Sequence, residues 1–287
     1  MSSMQRHALV FGGTGQIGAV LLQRLHAEGW RVDALSRTEQ HSSATLQWHR
    51  GDFASMPSLP DTVDVIISAG PLDLFAAWYA GSPIVCPRII AFGSTSLETK
   101  RDSADEAERN LAGRLQHAEQ RVFDAARARG ATATLLRPTL VYGAGRDRSL
   151  SRIVEMARRR GFFLLPRDAI GLRQPVHVAD LADAAMAVID VPGTFGQRYA
   201  LPGGETLAYR DMVARTLRGV QPPPRLLLLP SNLFRVALAL ARASGAAKGL
   251  GDAAVARMRE DLVFDITPAR RDFGYAPRAF EPDVEKR

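Results

Sequence analysis

With 287 residues, 46% of them hydrophobic, the chain can build one large core, or a main domain with a smaller appendage, and needs no second full domain. The formal charge of +7 invites a nucleic-acid reading, but Lys100, Lys248 and Lys286 are the only lysines and the arginines are scattered without aromatic interleaving, so no nucleic-acid partner is expected. The single cysteine, Cys86, excludes an internal disulfide and leaves no metal set; beside Pro87 it reads as a small buried strand residue.

Taken in order, Ala8 to Phe11 reads as a strand, Gly12 to Gly18 as a glycine turn, and the amphipathic stretch ending near Gly29 as a helix. Strands follow at Arg31 to Leu35, Leu46 to His49, Val63 to Ser68, Arg88 to Phe92 and Thr132 to Leu136, with helices at Leu72 to Ala80 and Ala104 to Arg129. The second of these helices begins at Ser103, carries Asp105, Glu106 and Glu108 in its first turns, and closes on Arg127, Arg129 and Gly130. Beyond Tyr142 the alternation is less regular. Ser149 to Arg160 and Ala179 to Ile189 read as helices and Phe162 to Leu165 as a short strand. Arg158 to Arg160 then complement a helix C-terminus before Gly161. A further set is expected at Gln197 to Leu201, Leu207 to Leu217, Arg225 to Leu229, Ser231 to Ala243 and Asp252 to Leu262. Alternating β and α units predict an α/β fold, a Rossmann-type doubly wound parallel sheet in residues 1–143, with a smaller substrate-side lobe in residues 144–287, part of which returns to the sheet. The apolar neighbourhood Leu226 to Ala241 is broken by Pro230, Asn232 and Arg235, and too few apolar residues precede the glycines for a signal peptide. A cytoplasmic protein with no membrane contact is expected.

The glycine turn carries the chemistry. Gly12, Gly15 and Gly18 fall at G-x-x-G-x-x-G spacing, which suits a tight turn, close approach of a pyrophosphate to the backbone, and close helix–strand contact. Thr14, Gln16 and Ile17 complete a helix start whose amides face the phosphates. A dinucleotide is therefore expected. Where an NAD site would place an acid after the second strand, this chain has Ser36-Arg37, a hydroxyl and a guanidinium that suit a 2′-phosphate, so NADP is expected over NAD. Asp33 lies inside that strand and is a poor ribose ligand. Asp52, Phe53, Ser68, Ala69 and Gly70 fall at carboxyl ends of strands, where they are candidates to meet the adenine, sugars or phosphates.

These features, with Gly51-Asp52-Phe53, Arg137-Pro138-Thr139-Leu140-Val141-Tyr142-Gly143, Pro175-Val176-His177-Val178-Ala179-Asp180 and Asp272-Phe273-Gly274-Tyr275-Ala276-Pro277-Arg278, resemble the extended or atypical short-chain dehydrogenases/reductases, commonly named NAD-dependent epimerase/dehydratases. The resemblance covers nearly the whole chain. It implies an N-terminal Rossmann domain holding the dinucleotide, a C-terminal lobe for a nucleotide-sugar or related small molecule, and Pro138 and its neighbour Leu140 at the nicotinamide end.

The family also implies a tyrosine acid/base, a lysine four residues later, and a serine. No tyrosine here is followed four residues later by lysine, and matching Ala118-Glu119-Gln120 to the family's helix puts Leu111 and Leu115 in those places. Leucine cannot move a proton. Ser94, with Ser96 as its weaker neighbour, remains the candidate catalytic hydroxyl; the competing reading is a turn cap. His177 reads as a packed strand residue or a substrate contact, and His117 turns away from the vacated face. Arg146, Arg148 and Arg173 are candidates to hold an anion, against the alternative of solvated loop residues. Two functions follow: an NADP-preferring epimerase/dehydratase-like protein acting on a small molecule, nucleotide-sugar-like in the family, by non-standard acid/base chemistry; or a non-catalytic NADP(H)-binding sensor or partner-stabilising protein. A homodimer is the assembly to test.

Overall fold

The computed structural model describes residues 5–143, 145, 150–243 and 251–282. The first half of the chain runs β1 (His7–Phe11), α1 (Gln16–Ala27), β2 (Arg31–Ser36), β3 (Leu46–Arg50), β4 (Val65–Ser68), α2 (Leu72–Gly81), β5 (Arg88–Phe92), α3 (Ser96–Thr99), α4 (Glu106–Ala128) and β6 (Thr132–Pro138). The second half adds β7 (Val141–Tyr142), α5 (Leu150–Arg160), β8 (Phe162–Pro166), β9 (Leu172–Arg173), β10 (Val176–His177), α6 (Val178–Ala187), β11 (Arg198–Leu201), β12 (Leu207–Ala208), α7 (Tyr209–Arg218), β13 (Arg225–Leu229), α8 (Ser231–Ala243), α9 (Asp252–Ala256) and α10 (Thr267–Phe273).

Seven strands form one sheet in the order β11-β6-β5-β4-β1-β2-β3, every neighbour parallel. Runs such as Val65-Ile66-Ile67 and Ile89-Ile90 suit strands buried on both faces. One face packs under α1 and α6, the other under α2 and α4. The chain leaves β1 toward β2 and β3, then crosses back to β4, so the strand order reverses between β1 and β4. Such a switch point opens a crevice at the carboxyl ends, and here it lies beside the Gly12 turn, with Phe11 in register with Ser68.

The C-terminal lobe is built from three two-stranded pairs, β7 with β10, β8 with β13 and β9 with β12, and a separate core around Tyr142, Leu165, Met212 and Phe280. The edge strand β11 returns to the main sheet beside β6. Outer positions of α8 leave Leu233, Val236 and Leu240 exposed. Among the described residues no helix is long and apolar enough to cross a membrane.

Several expected elements differ. The cap of α4 is Asp105, whose carboxylate takes the amides of Ala107 and Glu108; the Ser103 hydroxyl instead accepts from Asp105 N and donates to Glu108. The segment from Leu207 splits into a two-residue strand and α7 because Leu207–Ala208 pairs with β9. The segment expected over Asp252 to Leu262 is helical only to Ala256, and beyond it the carbonyls of Arg257 and Glu260 accept from Arg173. Ser149, the first residue of the helix expected to Arg160, lies outside the described residues. Cys86 is buried but precedes its strand, and burial pushes its thiol pKa up to about 12, so it is not a reactive thiolate.

Candidate active site

Gly12 has φ +76°, and a Cβ there would lie 2.7 Å from the Ala69 carbonyl carbon; one on Gly18 would lie 2.1 Å from Gly12 O. Only glycine lets the ends of β1 and β4 and the start of α1 meet so closely. Gly15 N donates to Gly12 O at 2.9 Å, which fixes the turn. The N-cap of α1 is Gly15 with no side-chain cap, and no acid lies in the first turn, so the helix presents unsatisfied amides to an anion. Thr14 is exposed, whereas Ile17 faces the core. The Gln16 Oε1 and Ser68 Oγ atoms are buried with no hydrogen-bond partner among the described residues, two polar atoms at the same crevice. A dinucleotide pyrophosphate fits this cradle on backbone geometry alone.

At the end of β2, Ser36 is buried and its Oγ accepts from Thr38 N, while Arg37 is exposed and has no ion pair with a described residue. Asp33 is 2% exposed and clasped by the Nε2 atoms of His7 and His49, from the strands on either side, so it has no oxygen to offer a ribose. Asp52 caps a turn by accepting from Ala54 N and Ser55 N. Phe53 stacks on Phe11 with centroids 5.3 Å apart, and a Cβ on Gly70 would touch its ring.

A cleft of about 680 Å³ leads from the glycine turn and is lined by Gly15, Gln16, Ser94, Ser96 and Lys100 on one side and by Thr139, Leu140, Gln174, Arg257 and Phe264 on the other. Ser94 therefore shares a cavity with the α1 N-terminus. It also accepts from Ser96 N at 3.1 Å, so the cap reading holds alongside the cleft-facing one. Pro138 is set back from the cleft: its carbonyl accepts from both N and Oγ1 of Thr95 and anchors the serine loop. The loop is fixed further by Arg137, whose Nε and Nη2 donate to Glu119 at 2.8 and 2.5 Å while Nη1 donates to Glu98. Burial drags on the Arg137 pKa, yet the two carboxylates hold it above its ordinary value.

Lys100 and Arg257 were not legible as site residues. Lys100 Nζ lies 3.3 Å from Glu108, which also bonds Arg257, a residue remote in sequence. Of the arginines considered for anion binding, Arg146 and Arg148 lie outside the described residues. Arg173 is a correction: it is buried and gives its donors to the carbonyls of Leu172, Arg257 and Glu260, so it is a structural clamp with little left for a ligand. His177 caps α6, its Nδ1 accepting from Ala179 N, with its ring edge-on to Tyr142. His117 is exposed. Leu115 packs against the core under α4, and neither it nor Leu111 lines the cleft.

The sequence profile of the NAD-dependent epimerase/dehydratase family matches residues 8–72 and 114–200. The chain belongs to this family. The matched stretches contain the glycine turn, β2, β3, β4, α4 from Arg114 and β6, and continue through α5, β8 and α6 into β11. Among curated proteins the chain is similar to a 2-alkyl-3-oxoalkanoate reductase of Stenotrophomonas maltophilia (strain K279a), 26% identical with 94% of each chain covered. Among solved structures it resembles the UDP-glucuronic acid 4-epimerase from Bacillus cereus in complex with NAD, with TM-score 0.71 at 14% identity over 96% of this chain and 93% of that one. It also resembles the epimerase Mth375 from Methanothermobacter thermautotrophicus, with TM-score 0.70 at 15% identity over 96% and 88%. These structural likenesses establish the epimerase/dehydratase fold.

Proposed function

We propose that this chain binds NADP(H) at the Gly12–Gly18 turn and carries out redox chemistry on a small molecule in the adjoining cleft. The observation that carries the reading is the opening of Ser94 and Ser96 into the same cleft as Gly15 and Gln16. A bound nicotinamide would supply or accept a hydride there. The α1 N-terminus neutralises the pyrophosphate, and Arg37, exposed at the end of β2, pairs with a 2′-phosphate. Ser94 orients the reacting oxygen of the substrate. The ammonium of Lys100, held beside Glu108, is the proton source nearest in kind to the missing tyrosine and lysine, because the arginines that line the cleft do not give up their protons. The name of the Stenotrophomonas relative, a 2-alkyl-3-oxoalkanoate reductase, supports a reductase rather than an epimerase.

A second reading, a non-catalytic NADP(H)-binding sensor or stabiliser of a partner, draws support from the sequence: no tyrosine is followed four residues later by lysine, and the resemblance implies Leu111 and Leu115 in the places of that pair. NADPH absorbance followed over a panel of 3-oxo acids, simple carbonyls and nucleotide-sugars separates the two. The redox reading expects turnover with at least one class and a loss of about tenfold or more in Ser94→Ala. Turnover undiminished in that variant removes Ser94, and NADPH binding without turnover on any class favours the sensor.

A further inference from the structure

Beside the cleft the C-terminal lobe encloses a second cavity of about 440 Å³, within the size range of small-molecule sites and far above the water-sized voids of ordinary cores. Its walls come from α5, β8, α7 and α8 and include Ile153, Met156, Phe163, Met212, Phe234 and Leu238. Leu140, Arg173, Arg257 and Leu262 line both spaces, so the apolar cavity adjoins the cleft across these side chains. At this junction Lys100 and Arg257 both pair with the one carboxylate of Glu108, two cations to one anion at the mouth, while Arg173 stays bound to backbone carbonyls. Arg152 and Arg160 reach the cavity from the exposed surface of α5.

We propose that this cavity seats an alkyl or acyl chain, and that the substrate is an amphipathic organic acid with its anionic head at Lys100 and Arg257 and its chain among Met156, Phe163, Phe234 and Leu238. This names the substrate class of the site proposed above and rests on that reading. The hydroxyls of a sugar pushed past Leu140 would find apolar walls and lose their hydrogen bonds, whereas methylene groups gain from the same surface. The cationic mouth selects an acid over an amine of equal length.

The test is calorimetric titration of the NADPH-loaded chain with butanoate, hexanoate, octanoate, octylamine and UDP-glucuronic acid. Affinity is expected to rise up to about fourfold for each added CH₂, with octanoate well ahead of octylamine and of the nucleotide-sugar. Ala237→Trp, which fills the cavity from α8, and Met156→Trp, which fills it from α5, are each expected to weaken octanoate at least tenfold while leaving NADPH binding unchanged, which also reports that the variants fold. Affinity independent of chain length, tighter binding of UDP-glucuronic acid, or octanoate binding untouched in both variants with NADPH still bound would overturn the proposal. If instead the carboxylates bind with the expected chain-length series and NADPH does not bind at all, the cavity assignment survives and the dinucleotide reading fails.

Discussion

In the sheet half, Asp33, Arg88 and Glu119 are each at or below 5% exposure, and each is held by fixed partners: two histidines for Asp33, backbone carbonyls and threonine hydroxyls for Arg88, and a bidentate guanidinium for Glu119. In the C-terminal lobe the ion pairs Arg215–Glu205 and Arg259–Asp168 are far more exposed, and the interior they surround is apolar and partly hollow. Burial lowers the Arg88 pKa to about 10, which still leaves it charged at neutral pH, and the carbonyls at the C-terminus of α6 receive that charge. On the functions proposed above, the contrast divides the labour between the halves. A cradle for one cofactor needs polar groups locked in place, whereas a site for a variable apolar chain needs room and a charged rim.

The largest expected effect breaks the locked half. In Arg137→Met the Glu119 carboxylate keeps its burial and loses its bidentate partner, retaining only Arg198 at 3.5 Å, so urea unfolding should show a loss of about 3–5 kcal/mol. A loss below about 1 kcal/mol would show that this pair is no more important than an exposed one. The smallest expected effect lies in the lobe. Hydrogen bonding from Arg215 holds the Glu205 carboxyl below its ordinary value of 4.5, so its stabilisation is fully present above that pH and is lost as the pH falls through the lower folded value. Glu205→Gln should flatten that acid-side slope and cost less than about 1 kcal/mol at pH 7. A cost rivalling that of Arg137→Met would erase the distinction between the two halves.

The sheet half was legible because its signals are local. Runs of β-branched residues bounded by glycine or proline mark β4 and β5, and the span expected for β5, Arg88 to Phe92, is the one observed. The strand β13 and helix α8 also carry their expected bounds. The two-residue strands Val141–Tyr142 and Leu172–Arg173 were not legible, since two residues have no period and their partners are remote in sequence, whereas the strand reading of His177 matches β10. Helix α10 was missed although Pro268 in its first turn and Gly274 in the left-handed region are start and stop signals. At the site, the glycine turn and Ser94 could be read from spacing and motif. Lys100 and, on the opposite wall, Gln174 and Arg257 could not, because they come together only through long-range contacts, with Gln174 accepting from Phe264 N and Arg257 bonding Glu108.

Titration of NADPH and NADH into the wild-type chain and Arg37→Glu tests most directly whether the locked half is an NADP(H) cradle. The expected result is NADPH binding tighter than NADH by about tenfold or more in the wild type, as a charge-assisted pair at a 2′-phosphate would give, with that preference abolished or reversed in the variant. Equal affinities for the two cofactors, unchanged by the substitution, would contradict it.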